Sequence, residues 1–439
     1  MTAHGVTGSL KREPQAPARL AQDDAGTTLE RGADWPRAAE RLFLIFVLTI
    51  ASYALSLQPQ VQTLAWYLAY LVALALFLLR YGAFLESAWI AVPLLIWPLA
   101  AGLSYTWSDA PGQSLRSAVQ LTMTVLISFY LGARFSLADL ARALFIVLAV
   151  TGLLSLAAIL AKSGFAYDHN GIPRGIFPHK NVLGGRMVLL LLCCLMLFAE
   201  GWRRLTMILA AALGTFLIAL SQSGTAIVMA LGLCALAPLL LTRHAAAPLR
   251  LIAYLVALLS FACLAWVFLA FDLDPVALAL QALGKEPTLT GRSELWAFAA
   301  ELIEERPLLG GGYDAFWHGG VFSAGSYLQH VVQQEIMNFH NSYLDIAVQL
   351  GALGLAITLL FLLFFAWRAL ALLHRSSSAI AALPAFYLAF VTVYSLSEYA
   401  LFRQHALIQI LLGAFYVSAV LALPDPRRRQ ASPANWPET

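Results

Sequence analysis

This sequence predicts an all-α, polytopic membrane protein of about twelve spans. Three observations carry that prediction: 60% of the 439 residues are hydrophobic, only 12% are charged, and the apolar residues gather in runs long enough to cross a bilayer. The mean hydropathy is +0.75, outside the range of soluble globular domains.

The chain opens with a polar stretch, residues 1–39, rich in Pro, Gly, Asp and Arg. It lacks an early apolar h-region, so it reads as a disordered tail, and the first span serves as an uncleaved insertion signal. Apolar runs follow at approximately 40–58, 61–80, 84–104, 114–133, 139–161, 181–199, 204–220, 223–241 and 249–271. A long connection, 272–339, separates these nine from three more runs at 340–366, 379–397 and 405–423, and residues 424–439 form a second polar tail. An even number of spans puts both termini on one side. Eighteen of the 27 Lys and Arg then fall in the tails and in the loops sharing that side, which the positive-inside rule makes cytoplasmic. The other nine, Arg116, Lys162, Arg174, Lys180, Arg186, Lys285, Arg292, Arg306 and Arg403, defy the bias and need another reason.

Several function classes drop out. The four cysteines, Cys193, Cys194, Cys234 and Cys263, lie inside predicted spans and suggest neither disulfides nor a metal site. There is no repeat and no phosphate-cradling or dinucleotide fingerprint, and a net charge of +3 implies no nucleic-acid partner.

The connection 272–339 is long enough to suggest function, with a simple lid as the bland alternative. Within it Leu295, Trp296, Phe298, Ala299, Leu302 and Ile303 recur at helical spacing, while Glu294, Glu301, Glu304 and Glu305 take the other face. The pattern predicts an amphipathic helix lying on the membrane surface. Pro307 and the run Gly310-Gly311-Gly312 predict its stop and a tight, close-approach turn.

Polar residues concentrate where even-numbered spans begin, at helix amino termini that favour anions. The clusters are Arg174 through Asn181 before the sixth span, Ser221 through Thr225 before the eighth, His340-Asn341-Ser342 at the tenth, and Glu398 through His405 before the twelfth. With arginine forks nearby, such ends suit a phosphate or pyrophosphate. For Asn181, Ser221 and Ser223, helix capping alone explains the residue equally well. His340 reads as a general base, because the dipole at a helix start disfavours imidazolium; an interfacial histidine bonded to lipid or loop is the competing reading. Asn341, Asp345 and Gln349 share one helical face that cannot point at lipid, and Asp345 reads as structural. Arg292, in the first turn of the amphipathic helix, calls for a negative partner, for which Glu294 and Glu301 are rivals to a ligand. For Arg403 an ion pair with Glu398 is the simpler account, and Lys180 and Arg186 have snorkelling as theirs.

These residues carry a family resemblance. His340-Asn341, nine residues, Gly351, two residues and Gly354 resemble the hallmark of the O-antigen ligase and O-antigen polymerase superfamily, and particularly its exopolysaccharide-polymerase-like branch. Gly291 through Trp296 with Pro307 through Gly312 resembles that family's external loop, and Gly175 through Asn181 its mid-chain motif. The resemblance implies a GT-C-type protein of a bacterial inner membrane, with its site facing the periplasm. It further implies transfer of a glycan from an undecaprenyl-pyrophosphate donor to a sugar hydroxyl on a glycan acceptor, with no metal and no cofactor. His340 would be the base. Arg174 and Arg292 would hold the pyrophosphate, with Asn341, Lys180 and Arg403 as further substrate contacts. Other polysaccharide assembly proteins are candidate partners. Ligase-type members commonly carry an arginine before the eighth span where this chain has Gln222, which leans toward polymerisation. The alternative is a transporter or flippase of lipid-linked glycans, which would bind near the midplane.

Overall fold

The computed structural model describes residues 37–53, 59–242, 245–270, 292–318, 325 and 338–423. The predicted tails, and most of 272–291 and 319–337, therefore lie outside the described residues. Within them the chain is helical without a strand: α1 Arg37–Ala51, α2 Pro59–Leu79, α3 Tyr81–Leu103, α4 Pro111–Arg134, α5 Leu137–Leu160, α6 Lys180–Ala199, α7 Arg204–Ser221, α8 Gly224–Leu241 and α9 Ala247–Ala270. After these come α10 Arg292–Glu305, α11 Ser342–Arg375, α12 Leu383–Tyr394 and α13 Leu407–Leu421. Helix starts follow local chemistry. Pro111 opens α4 at a position that needs no N–H, and Ser136 and Ser223 accept the backbone N–H of Asp139 and Ala226 as N-caps.

A helix stands at each predicted apolar run, but only eight among the described residues are long and apolar enough to cross a membrane. Of the others, α1 has 15 residues, the helices at 379–394 and 407–421 are apolar but short, and α9 runs 24 residues with its described apolar stretch at 247–259, so the expectation of about twelve spans is met in helix placement and only in part by length.

α13 sits at the centre, with every residue from Leu407 to Val420 buried. It packs on α4 at backbone range: a Cβ on Gly132 would lie 2.5 Å from the Ala414 carbonyl oxygen, and one on Gly413 2.6 Å from Ser128 Cβ. Small residues let helices approach this closely in lipid, where packing rather than water exclusion drives association. α2, by contrast, turns Leu64, Leu71 and Leu78 outward.

At the end of the bundle away from His340, Glu40 is buried between Arg80 (3.1 Å) and Arg134 (2.9 Å) and accepts the Tyr130 hydroxyl at 2.6 Å. Arg80 and Arg134, counted above as loop cations, thus serve in a buried ion cluster that ties α1 to α3 and α4.

Two expectations about the long connection change. α10 buries its apolar stripe on the protein: Leu295 and Ala299 pack with Trp317, Phe339 and Val348, so that stripe faces protein rather than the membrane surface. The tenth span also differs. α11 has 34 residues, about 51 Å at helical rise against roughly 30 Å of hydrocarbon, and it breaks at Gly351 (φ 60°, ψ −154°). The break frees carbonyls and amides that the glycine run takes up. Gly311 and Gly312 donate to the Val348 and Gln349 carbonyls, both at 2.9 Å, while Ala352 and Leu353 donate back to Pro307 (2.8 Å) and Leu308 (3.2 Å). The close-approach turn predicted after Pro307 is this docking. No side chain fits at Gly351, where a Cβ would meet the Leu308 carbonyl carbon at 2.3 Å.

Candidate active site

His340 is positioned by what surrounds the start of α11. Asp345, fully buried, accepts the Phe339 N–H with both carboxylate oxygens at 3.2 Å, in the structural role expected of it. The Phe339 carbonyl takes the Trp296 indole N–H at 3.0 Å, so α10 also holds this turn. His340 adopts φ 51°, a left-handed backbone, with its N–H on the Asn338 side-chain oxygen at 2.9 Å. It therefore precedes the helix rather than occupying its first turn. Asn341 is the N-cap, its side-chain oxygen accepting Tyr343 N–H (3.0 Å) and Leu344 N–H (3.2 Å). That oxygen is committed to the helix end.

The next residue matters more than its sequence suggested. Ser342 is fully buried and staples α11 to the loop after α12: its N–H donates to Ser395, its hydroxyl donates to the Glu398 carbonyl at 2.8 Å, and the same oxygen accepts Ala400 N–H at 2.8 Å. The staple brings the Glu398 carboxylate within 3.7 Å of His340 Nδ1. That nitrogen is buried and has no hydrogen-bond partner among the described residues.

Glu398 is fixed from the other side by α6. Asn181 donates its amide to Glu398 Oε1 at 2.8 Å, while His179, not Asn181, caps the helix by accepting the Asn181 N–H at 3.2 Å. Burial pushes the His179 imidazole below its ordinary value; Glu398 opposes this, and His340 and Lys180 add to it. Lys180 is buried at the start of α6.

Behind Glu398 lies a cavity of about 130 Å³ whose polar lining comprises Tyr53, Arg186, Tyr394, Glu398, Tyr399 and Arg403. Arg186 is 5% exposed, with its Nε on the Ser52 carbonyl at 3.3 Å and no ion pair among the described residues. It does not snorkel, which was the simpler account from sequence; its place inside an apolar helix, on the side depleted of Lys and Arg, was the signal of another role. Arg403 lies over the Tyr399 ring at 5.4 Å and donates to the Tyr399 carbonyl at 3.3 Å. Burial works against its charge, but Tyr53, Tyr399, Asp314 and Asp345 outweigh it and hold the guanidinium more basic than usual. Two cations and one carboxylate leave this cavity electropositive.

The remaining candidates make the following contacts. Arg174 braces its own loop, with Nε on the Phe165 carbonyl (3.0 Å) and Nη1 on that of Pro178 (2.9 Å). Arg292 begins α10, and its side chain lies outside the described residues. Ser223 caps α8, and Ser221 returns its hydroxyl to the Ile218 carbonyl at 2.7 Å, so both serve the helix ends. Among the described residues no three His, Cys, Asp or Glu side chains gather as a metal site.

Fold and site together define a polytopic helical membrane protein with an imidazole, a carboxylate, and one buried and one half-buried guanidinium group converging at one end of the bundle. Residues 208–359 match the family model described as O-antigen ligase, the family that the His340 motif resembles. The chain is also similar to Exopolysaccharide production protein ExoQ of Rhizobium meliloti (strain 1021). The two are 28% identical over 333 residues, which cover 72% of this chain and 74% of that protein. Arg186, Glu398 and Arg403 lie outside the segment matched by the family model, and the fold brings them to it.

Proposed function

We propose that this chain is a membrane glycosyltransferase that transfers or polymerises glycan from an undecaprenyl-pyrophosphate donor onto a sugar hydroxyl, in exopolysaccharide or O-antigen biosynthesis at the periplasmic face of a bacterial inner membrane. The observation that carries this reading is the pairing of an unbonded His340 Nδ1, beside Glu398, with Arg186 and Arg403 in the adjoining cavity. Similarity to O-antigen ligases, and to a relative named for exopolysaccharide production, supports it.

In this reading the acceptor oxygen attacks the anomeric carbon, its proton passes to His340, and the bond from that carbon to the pyrophosphate oxygen breaks. Glu398 stabilises the imidazolium as it forms. Charge grows on the departing pyrophosphate, and fixed guanidinium groups in a poorly solvated cleft stabilise that state more than the ground state. Arg186 takes the place first given to Arg174, whose bonded nitrogens are committed to carbonyls, and Arg292 stays a candidate from the start of α10. Lys180 adds positive charge beside the cleft. A single displacement inverts the anomeric centre, and retention seen by NMR of donor and product would retire it. Gln222, where ligases commonly carry arginine, favours the polymerase.

The test uses purified protein with a lipid-linked glycan and an acceptor. Wild type makes product, and His340→Ala abolishes transfer while donor binding persists. Absence of product from the wild type, or normal turnover in the variant, overturns the proposal.

A further inference from the structure

A second cavity, open and about 490 Å³, lies at the same end of the bundle, where the loop after α3 meets the segment after α10. We infer that it is a binding subsite for a pyranose unit of the glycan chain, remote from the reacting sugar. The inference rests on the transferase reading above and extends it to a place that reading does not use.

The lining has the chemistry for a neutral, hydroxylated ring. Trp107 contributes an aromatic surface whose orientation is set by its indole N–H on the Leu309 carbonyl at 3.0 Å. Beside it Arg306 Nη1 donates to Asp109 Oδ1 at 2.7 Å, both side chains half exposed. The pair neutralises itself, so this cleft lacks the excess positive charge of the His340 cavity and is poorly suited to phosphate. Among the described residues Asp109 Oδ2 and the other Arg306 N–H groups have no hydrogen bond. Acceptor and donors therefore stand side by side, as adjacent sugar hydroxyls require, since each both donates and accepts. Leu308 and Leu309 form an apolar rim, suited with Trp107 to the C–H faces of a pyranose.

The wall is rigid. The Asp109 N–H bonds the Gly311 carbonyl at 3.0 Å, and the segment behind it exchanges backbone hydrogen bonds with α11 across the break at Gly351. His340 stands at the opposite end of that same helical piece. Ser342 to Leu350 spans about 12 Å at helical rise, so a ring held here belongs to the chain rather than to the reacting centre. Binding at such a distance retains the chain between transfers and lengthens the product.

The probe is a set of oligosaccharides cut by partial acid hydrolysis from the host cell's own exopolysaccharide, presented to full-length protein in nanodiscs. Saturation-transfer NMR reads their binding, and farnesyl pyrophosphate reads the His340 cavity in parallel. Asp109→Asn and Trp107→Leu each weaken oligosaccharide binding about tenfold, the loss of one charge-assisted bond or one packed face, while farnesyl pyrophosphate affinity and melting temperature stay at wild-type values. Unchanged oligosaccharide affinity in both variants overturns the subsite, as does joint loss of both ligands. A wild type that binds the oligosaccharide, loses it on these substitutions and yet never transfers glycan retires the proposed function and leaves the subsite standing.

Discussion

Replacing Gly351 by alanine tests the joint between the glycine run and α11. The position combines φ 60° with ψ −154°, a region open essentially to glycine, and an added Cβ would lie 2.3 to 2.6 Å from three Leu308 and Leu309 backbone atoms. Backbone strain of this kind costs about 1–3 kcal/mol. Relieving the clash displaces the Pro307–Gly312 segment and puts four backbone hydrogen bonds at risk, each of net value about 1 kcal/mol. The expected loss is on the order of 3–6 kcal/mol, a large fraction of a typical folding free energy of about 5–15 kcal/mol. The assay is thermal melting of the detergent-solubilised protein, read with the glycan transfer rate on the same sample. Gly102→Ala is the control, because nothing lies within 4 Å of its added Cβ, and it is expected to melt at or slightly above the wild-type temperature. A Gly351→Ala protein with wild-type melting and turnover would refute the reasoning, since the break could then be neither glycine-dependent nor held by the segment docked on it.

Arg186→Lys and Arg403→Lys are each expected to weaken donor use by tenfold or more, because an ammonium offers no planar fork; unchanged kcat/KM for the donor in both would move the pyrophosphate elsewhere. EDTA is expected to leave transfer unaffected, and inhibition reversed by added divalent cation would bring a metal into the mechanism.

What the sequence determined by itself is the set of helices and their likeness to a family. Lipid leaves no freedom in how a spanning backbone meets its hydrogen bonds, so an apolar run of sufficient length is already a helix, and every such run here became one. His340 and the stop after Pro307 were legible for a related reason: both are local breaks in an otherwise uniform text. The tertiary structure decided which polar groups share a cleft. Arg186 looked like a snorkelling cation and Arg174 like a ligand, yet packing buried the first beside Arg403 and tied the second to two carbonyls. Asn341 and Ser342 are adjacent in sequence, but one caps its own helix while the other draws Glu398 to His340 from more than fifty residues away. Local periodicity records which face of a helix avoids lipid. Which helix that face meets is set by the joint packing of the whole bundle, and no single segment encodes it.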